Sequence, residues 1–443
     1  MDTEVHIVGG GLAGLVAARR LATDGADVTL FEREAQVGGR VQTHTVDGFT
    51  LDRGFQVLFT SYPAAQRELD LDALDLRSFA PGATICRPNS RAVLADPLRA
   101  PGAALESAFN TEVTFTDKLR TLLLRFGLTQ KDSESFFNGP DIPIREYLSE
   151  RGFSPAYVDN FVAPFYGGIT LDRSLSTSKH VFEYTFRCLS TGQTVVPAAG
   201  IEAIPQQLAR RARESGVTVE TETHVESVTA ESEGVTVATA ETTYQGDAAI
   251  IATPAPEARR LSGVESIPTD TAGCVTQWYT LPEGIKFETG KQILLNAASS
   301  RPNSVVPASE VAPEYSPEAR TLLNATFLGA ESQTREPEAL LSDTREALSS
   351  WYPERSFDGL ELLATDRIPD AQFSQPPGVF DGLPAVDAPA GPVFLAGEFT
   401  EWSAIQGALE SGRHAAAAVT DKHRTGLAEP VLRVQTFPAE RRE

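Results

Sequence analysis

The stretch that decides the fold lies near the N-terminus: Val5-His6-Ile7-Val8-Gly9-Gly10-Gly11-Leu12-Ala13-Gly14-Leu15-Val16-Ala17-Ala18. Val5, Ile7 and Val8 form a short apolar run that reads as a strand, and Leu12, Leu15, Val16, Ala18 and Leu21 recur at helical spacing. Between them, Gly9-x-Gly11-x-x-Gly14 sits where a strand must turn sharply into a helix. The first glycine allows the tight turn, the second lets backbone amides approach a pyrophosphate, and the third lets the helix pack against its strand. The positive end of that helix then faces the anion. Ala26 to Phe31 reads as the next strand. Glu32 ends it about twenty residues after the glycines, where a carboxylate accepts hydrogen bonds from ribose hydroxyls and repels a 2'-phosphate. Leu12, Ala13 and Arg33, beside these positions, complete the expected dinucleotide contacts.

Such glycines do not separate one dinucleotide from another, so the choice rests on what lies downstream. Gly38-Gly39-Arg40 follows the ribose carboxylate, where the arginine neutralises a pyrophosphate and the glycines let the chain pass close to the ligand. The run from Gly9 through Arg40 resembles the FAD-binding start of the flavin amine oxidase superfamily, which includes protoporphyrinogen oxidases and phytoene desaturase-like enzymes. The resemblance implies FAD as the cofactor. Val393-Phe394-Leu395-Ala396-Gly397-Glu398, followed by Gly407-Ala408-Leu409-Glu410-Ser411-Gly412-Arg413, is similar to the second FAD motif of that superfamily. By the resemblance, Glu398 beside Gly397 bonds the ribityl chain, and the helix starting near Ile405 and Gln406 aims its amides at the pyrimidine edge of the flavin. Negative charge grows there on reduction, and a helix N-terminus stabilises an anion by about 0.3 to 1 kcal/mol. Asp52-Arg53-Gly54-Phe55-Gln56 resembles the segment that passes beside the flavin ring. Val225 sits where a backbone amide meets adenine, and Ile250-Ile251-Ala252-Thr253-Pro254 resembles the strand and turn that re-cross the dinucleotide lobe.

At 443 residues the chain is too long for one ordinary core, which implies two lobes sharing a cleft. Helical texture fills 62–194, for example Lys118 to Phe126 and Ile144 to Arg151. Alternating strands return at Val217 to Val219, Val225 to Val228, Val235 to Val237 and Ala248 to Ile251, after an amphipathic helix from Ile201 to Arg213. The expected fold is α/β, a discontinuous Rossmann-like FAD-binding domain (1–61, 195–262 and 364–425) with an inserted α+β substrate-binding domain (62–194 and 263–363) and a C-terminal tail (426–443).

The net charge of -22 repels phosphate backbones and anionic headgroups, so nucleic acid is not an expected partner. The acid excess is spread along the chain and reads either as a surface adapted to high salt or as that of an ordinary acidic enzyme. No apolar run approaches the roughly 20 residues that span a bilayer. A hydrophobic entrance resting on a membrane surface stays open. Acidic Asp2 and Glu4 precede the first strand, the opposite of a basic secretory leader, which points to the cytosol. Cys86, Cys188 and Cys274 are far apart, and no His or carboxylate cluster has metal-ligand spacing.

Amine-oxidising members of the superfamily present a tyrosine shortly before the Gly-Ala pair of the C-terminal helix. Alignment on Gly407 and Ala408 places Ala404 there. The departure leans towards dehydrogenation of a hydrophobic isoprenoid, carotenoid or porphyrinogen-like substrate, with oxygen, a quinone or another carrier reoxidising the flavin. A flavin amine oxidase with a modified aromatic cage and a non-catalytic FAD carrier or escort remain alternatives. Tyr166, Trp278 and Trp402 are the substrate-facing candidates, within a set that adds Phe161, Phe165, Phe182, Phe186 and Tyr279. Lys286 reads as a flavin-facing lysine or, more commonly, an exposed turn residue. His180 reads as a proton acceptor or a structural histidine. No residue is assigned a catalytic role.

Overall fold

The computed structural model describes residues 3–95, 113–132, 135–232 and 234–427. The tail expected at 426–443 lies, from 428 onward, outside the described residues. The strand Glu4–Val8 leads through the glycine turn into the helix Leu12–Thr23. Around that strand a five-stranded sheet assembles from distant parts of the chain, in the order Thr218–Glu220, Asp27–Phe31, Glu4–Val8, Ala248–Ile251, Val393–Leu395. Every pairing in it is parallel. Such a sheet needs cover on both faces, which is why Ala248–Ile251 is an unbroken apolar run, wholly buried.

On one face lies the helix Leu12–Thr23, crossed by the C-terminal helix Ile405–Leu427. Leu15, Val16 and Leu21 of the first helix are buried there, each contributing about 1.5 to 3 kcal/mol. Two glycines set the spacing. A Cβ at Gly14 would stand 2.0 Å from the carbonyl oxygen of Gly9, and one at Gly412 would stand 2.2 Å from that of Ala13. The other face is covered by a three-stranded antiparallel meander, Val225–Glu231, Gly234–Thr239 and Thr243–Gly246, through Val235 and Val237.

A second sheet has seven strands, in the order Glu361–Phe373, Thr271–Thr280, Leu322–Leu328, Ser304–Val306, Ile293–Asn296, Gly82–Arg87, Ser90–Ala95. It is antiparallel except where Ile293–Asn296 meets Gly82–Arg87. One face buries Val275, Tyr279 and Phe327 against Leu340, Leu348 and Trp351 of the helix Pro337–Trp351. The strand Glu361–Phe373 in this sheet runs across the boundary expected at 364, and we propose that the cofactor lobe resumes after Phe373. That strand is half-buried along most of its length, so it carries no clean alternation to mark it in the sequence.

Asp52 ends the strand Phe49–Asp52, which pairs with Thr43–Val46 in a separate two-stranded hairpin. Its carboxylate accepts hydrogen bonds from Thr43 Oγ1 (2.7 Å), the Ile201 amide (2.8 Å) and the Tyr315 hydroxyl (2.9 Å). Burial pushes this carboxyl above its ordinary value of 3.8, against the lowering effect of those bonds. The native state therefore holds the proton more tightly than the unfolded chain does. The stabilisation is complete below the unfolded value and is lost as the pH rises through the native one. Asp52→Asn is expected to match the wild-type melting temperature near about pH 3 and to exceed it by roughly 2 to 4 °C at about pH 7.5. Thermal scans across that range check the sign.

Candidate functional site

Between the two sheets lies a cavity of about 1630 Å3, larger than the roughly 300 to 1000 Å3 that holds a typical small ligand. One end of it is lined by the carboxyl ends of the parallel strands, where Val8 passes into Gly9, Phe31 into Glu32 and Ile251 into Ala252. Ligands of open α/β sheets bind at such an edge.

Gly9 turns the chain with φ +111°, and a Cβ there would meet the Ala252 carbonyl oxygen at 2.6 Å. Gly11 is the N-cap of the first helix, with φ -73° and no side-chain cap, so the amides of the first turn keep no side-chain acceptor. A Cβ on Gly11 would point into the cavity and meet nothing within 4 Å. Leu12 and Ala13 line the same wall, whereas Gly14 lies behind it and serves the packing against Gly9. Glu32, 8% exposed, accepts from the Gly10 amide at 2.7 Å and from the Glu34 amide at 2.9 Å. Arg33 lines the edge and pairs with Glu34 at 3.1 Å. Val225 closes the cavity beneath the meander.

The N-terminal and C-terminal motifs meet across the cavity. Arg40 and Glu398 form an ion pair at 2.6 Å, and Arg40 also donates to the Ala371 carbonyl at 2.7 Å. Gln56 braces the loop by donating to the carbonyls of Arg40 (2.9 Å) and Arg53 (3.0 Å). Gly39, Gly54 and Phe55 line the wall beside them, as do Gly397 and Ile405 on the C-terminal side. The Gly397 amide donates to Ser411 Oγ at 3.0 Å, tying that turn to the helix.

Two of the expected residues turn their side chains away from the cavity. Gln406 points away from the cavity, buried, its Oε1 accepting from the Ala64 amide at 2.9 Å. Helical geometry turns it a quarter circle from Ile405. Trp278 is also outside the wall: its indole donates to the Asp52 carbonyl at 3.0 Å within a separate apolar cluster. It shares a sheet face with Cys274, which does line the cavity, but stands four residues further along the strand. Phe182 and Tyr279 are buried outside the wall as well.

Tyr166, Phe161, Phe165 and Phe186 form one aromatic wall of the cavity. Trp402 stands at another, packed edge-on against Tyr62 and Tyr184 at ring distances of 6.2 and 5.1 Å, and Ala404 lines the space beside it. Burial drives the Tyr166 phenol well above its ordinary value and pushes the Cys274 thiol up to about 12, so both keep their protons near neutrality. His180 is buried outside the wall, 3.8 Å from Asp141. Lys286 is exposed in a loop. The sequence reading missed Phe115, Leu119 and Leu122, which line the cavity mouth; their spacing of four and three residues was the signal available.

An open amide-lined turn, a buried acceptor at Glu32 and an arginine across the cavity fit a dinucleotide. Residues 181 in number match protoporphyrinogen oxidase 2, chloroplastic/mitochondrial, of Arabidopsis thaliana at 26% identity, covering 40% of this chain and 35% of that one. A 50-residue stretch is 52% identical to 4,4'-diapophytoene desaturase of Staphylococcus haemolyticus, covering 11% and 10%. The matches thus span about a third or less of the length of these relatives. Among solved structures, an oxidoreductase from Methanosarcina mazei aligns with a TM-score of 0.72 at 16% identity, covering 94% of this chain and all of the other. Cyclohexylamine oxidase from Brevibacterium oxydans aligns with a TM-score of 0.68 at 17% identity, covering 96% and 100%. At these identities the likeness is one of fold. The family model for flavin containing amine oxidoreductases matches residues 12–420, and the chain belongs to that family of flavin-dependent oxidoreductases.

Proposed function

We propose that the protein uses FAD to dehydrogenate carbon in a bulky, apolar substrate of isoprenoid, carotenoid or porphyrinogen-like class. One observation carries this reading: a single cavity runs from the glycine turn and Glu32 to the aromatic wall at Tyr166, and Ala404 leaves room where amine-oxidising relatives place a ring. The names of the Arabidopsis and staphylococcal relatives support a porphyrinogen or carotenoid substrate.

The first-turn amides beyond Gly11 would hold the pyrophosphate, Glu32 would accept from the adenosine ribose, and Arg40 would offset phosphate charge while its partner Glu398 would accept from the ribityl hydroxyls. Val225 and Gly54 to Gln56, which line the cavity, would flank the two ends of the dinucleotide. When bound, the flavin supplies a two-electron acceptor. The chain's part is to orient a substrate along Phe161, Phe165 and Tyr166 and to exclude water with that wall. Burial raises both the Tyr166 phenol and the Cys274 thiol, so neither serves as a base near neutrality.

Anaerobic mixing of the yellow protein with a polyene or a porphyrinogen is expected to bleach the flavin in one turnover. Bleaching by amines and not by either apolar substrate would overturn the substrate class. A fully coloured protein that no candidate bleaches would favour a carrier.

A further inference from the structure

Among the described residues six large hydrophobic side chains stand exposed, and five belong to one helix, Phe115–Thr129. They are Phe115 (81% exposed), Leu119 (48%), Leu122 (48%), Leu123 (64%) and Phe126 (68%). Offsets of 4, 7, 8 and 11 residues from Phe115 place them on one side of the helix. The opposite side is anchored. Leu124 and Leu128 are buried, and so is Asp117, the helix's sole carboxylate, which closes a capping box with Thr114 and accepts from Ser154. A helix facing water shows the reverse pattern, with its apolar stripe turned inward.

The stripe is continuous with the cavity. Phe115, Leu119 and Leu122 line the mouth, while Leu123 and Phe126 stand outside it. Local charge differs from that of the whole protein. The helix carries Lys118, Arg120 and Arg125 against Asp117 alone, and residues 113–191 hold nine Lys or Arg and nine Asp or Glu, in a chain of net charge -22. With Asp117 buried in the capping box, the helix offers an anionic headgroup layer three cations in an otherwise acidic chain. Among the described residues no helix is long and apolar enough to cross a membrane.

We propose that the helix Phe115–Thr129 lies in the headgroup boundary of an anionic lipid surface, its stripe dipped into the acyl edge, so that the cavity opens onto the apolar phase. An apolar substrate then enters without crossing water. The substrate's nature rests on the function proposed above; the membrane contact does not.

The test uses the flavin-loaded full chain and sedimenting vesicles of phosphatidylcholine, with or without about 30% phosphatidylglycerol. The wild type is expected to sediment with the anionic vesicles, less so at high salt. Leu123→Glu/Phe126→Glu is expected to lower its partition coefficient by about tenfold or more, with flavin content and melting temperature unchanged. A wild type that ignores the vesicles, or a variant that binds them equally, overturns the proposal. So does a dimer, seen by light scattering and abolished by the same variant, in a protein without affinity for lipid. Vesicle binding by a protein that no apolar substrate bleaches would sink the proposed function and leave this inference standing.

Discussion

Gly11→Val is expected to yield a folded protein that purifies without flavin. The backbone at Gly11 is extended, with φ -73° and ψ 179°, a conformation valine adopts readily. A Cβ there meets no atom within 4 Å, so the empty protein tolerates the change. The added methyls stand in the open space beside the first-turn amides, where the pyrophosphate would lie. Gly14→Val provides the contrast. Its Cβ would stand 2.0 Å from the Gly9 carbonyl oxygen, so the helix must leave the strand, at a cost of about 3 kcal/mol or more. The two variants should therefore fail differently: the first with native circular dichroism and no visible absorbance, the second with loss of soluble protein. A ligand held at about a thousand times its dissociation constant stabilises by roughly 4 kcal/mol, so the Gly11 variant should also melt several degrees below the coloured wild type and level with its flavin-free form. Full flavin occupancy in Gly11→Val would remove the N-terminal turn from the binding site.

Glu32→Arg is expected to abolish flavin binding and to weaken the fold as well. The carboxylate accepts from the amides of Gly10 and Glu34, one on each oxygen, at 8% exposure. An arginine offers no acceptor, so two amides lose their partners at about 1 to 3 kcal/mol each, and a cation is left at the positive end of a helix. Glu32→Gln separates the two roles. Its amide oxygen keeps one acceptor in place, so the turn should hold while flavin affinity falls by about tenfold. Flavin stoichiometry and urea midpoints on the three proteins decide the matter. An arginine variant that keeps its flavin would show that the ribose is held elsewhere.

The cofactor half of the molecule was legible because its chemistry is local. Gly9, Gly11 and Gly14 are demanded by backbone approach within one turn, and Glu32 follows at a distance fixed by one helix and one strand. Where the outcome depended on which way a side chain faces, sequence was less informative. Trp278 and Cys274 share a strand and a face, yet only the cysteine reaches the cavity, because the strand runs past its edge. Gln406 and Ile405 are neighbours in sequence and diverge by the turn of a helix. The pair of Arg40 with Glu398 joins residues in two separate motifs, and nothing near either one announces the other. The boundary expected at 364 falls inside the strand Glu361–Phe373 for a related reason: its half-buried surface has no period to read. The helix at Phe115–Thr129 was visible as a helix, but its apolar stripe reads as a core-facing side until burial is known.

The parallel sheet takes its strands from residues 4–8, 27–31, 218–220, 248–251 and 393–395. On a ribosome the first two emerge early and then wait for their neighbours until nearly the whole message has been translated. Nascent chain lacking Val393–Leu395 and the glutamate behind it holds half a cradle with one edge strand unpaired. Such long-range closure is slow and leaves sticky edges exposed, so production in cells should respond to chaperone supply and to slower elongation at lower temperature. Riboflavin feeding should help only after synthesis ends, by trapping chains that have already closed.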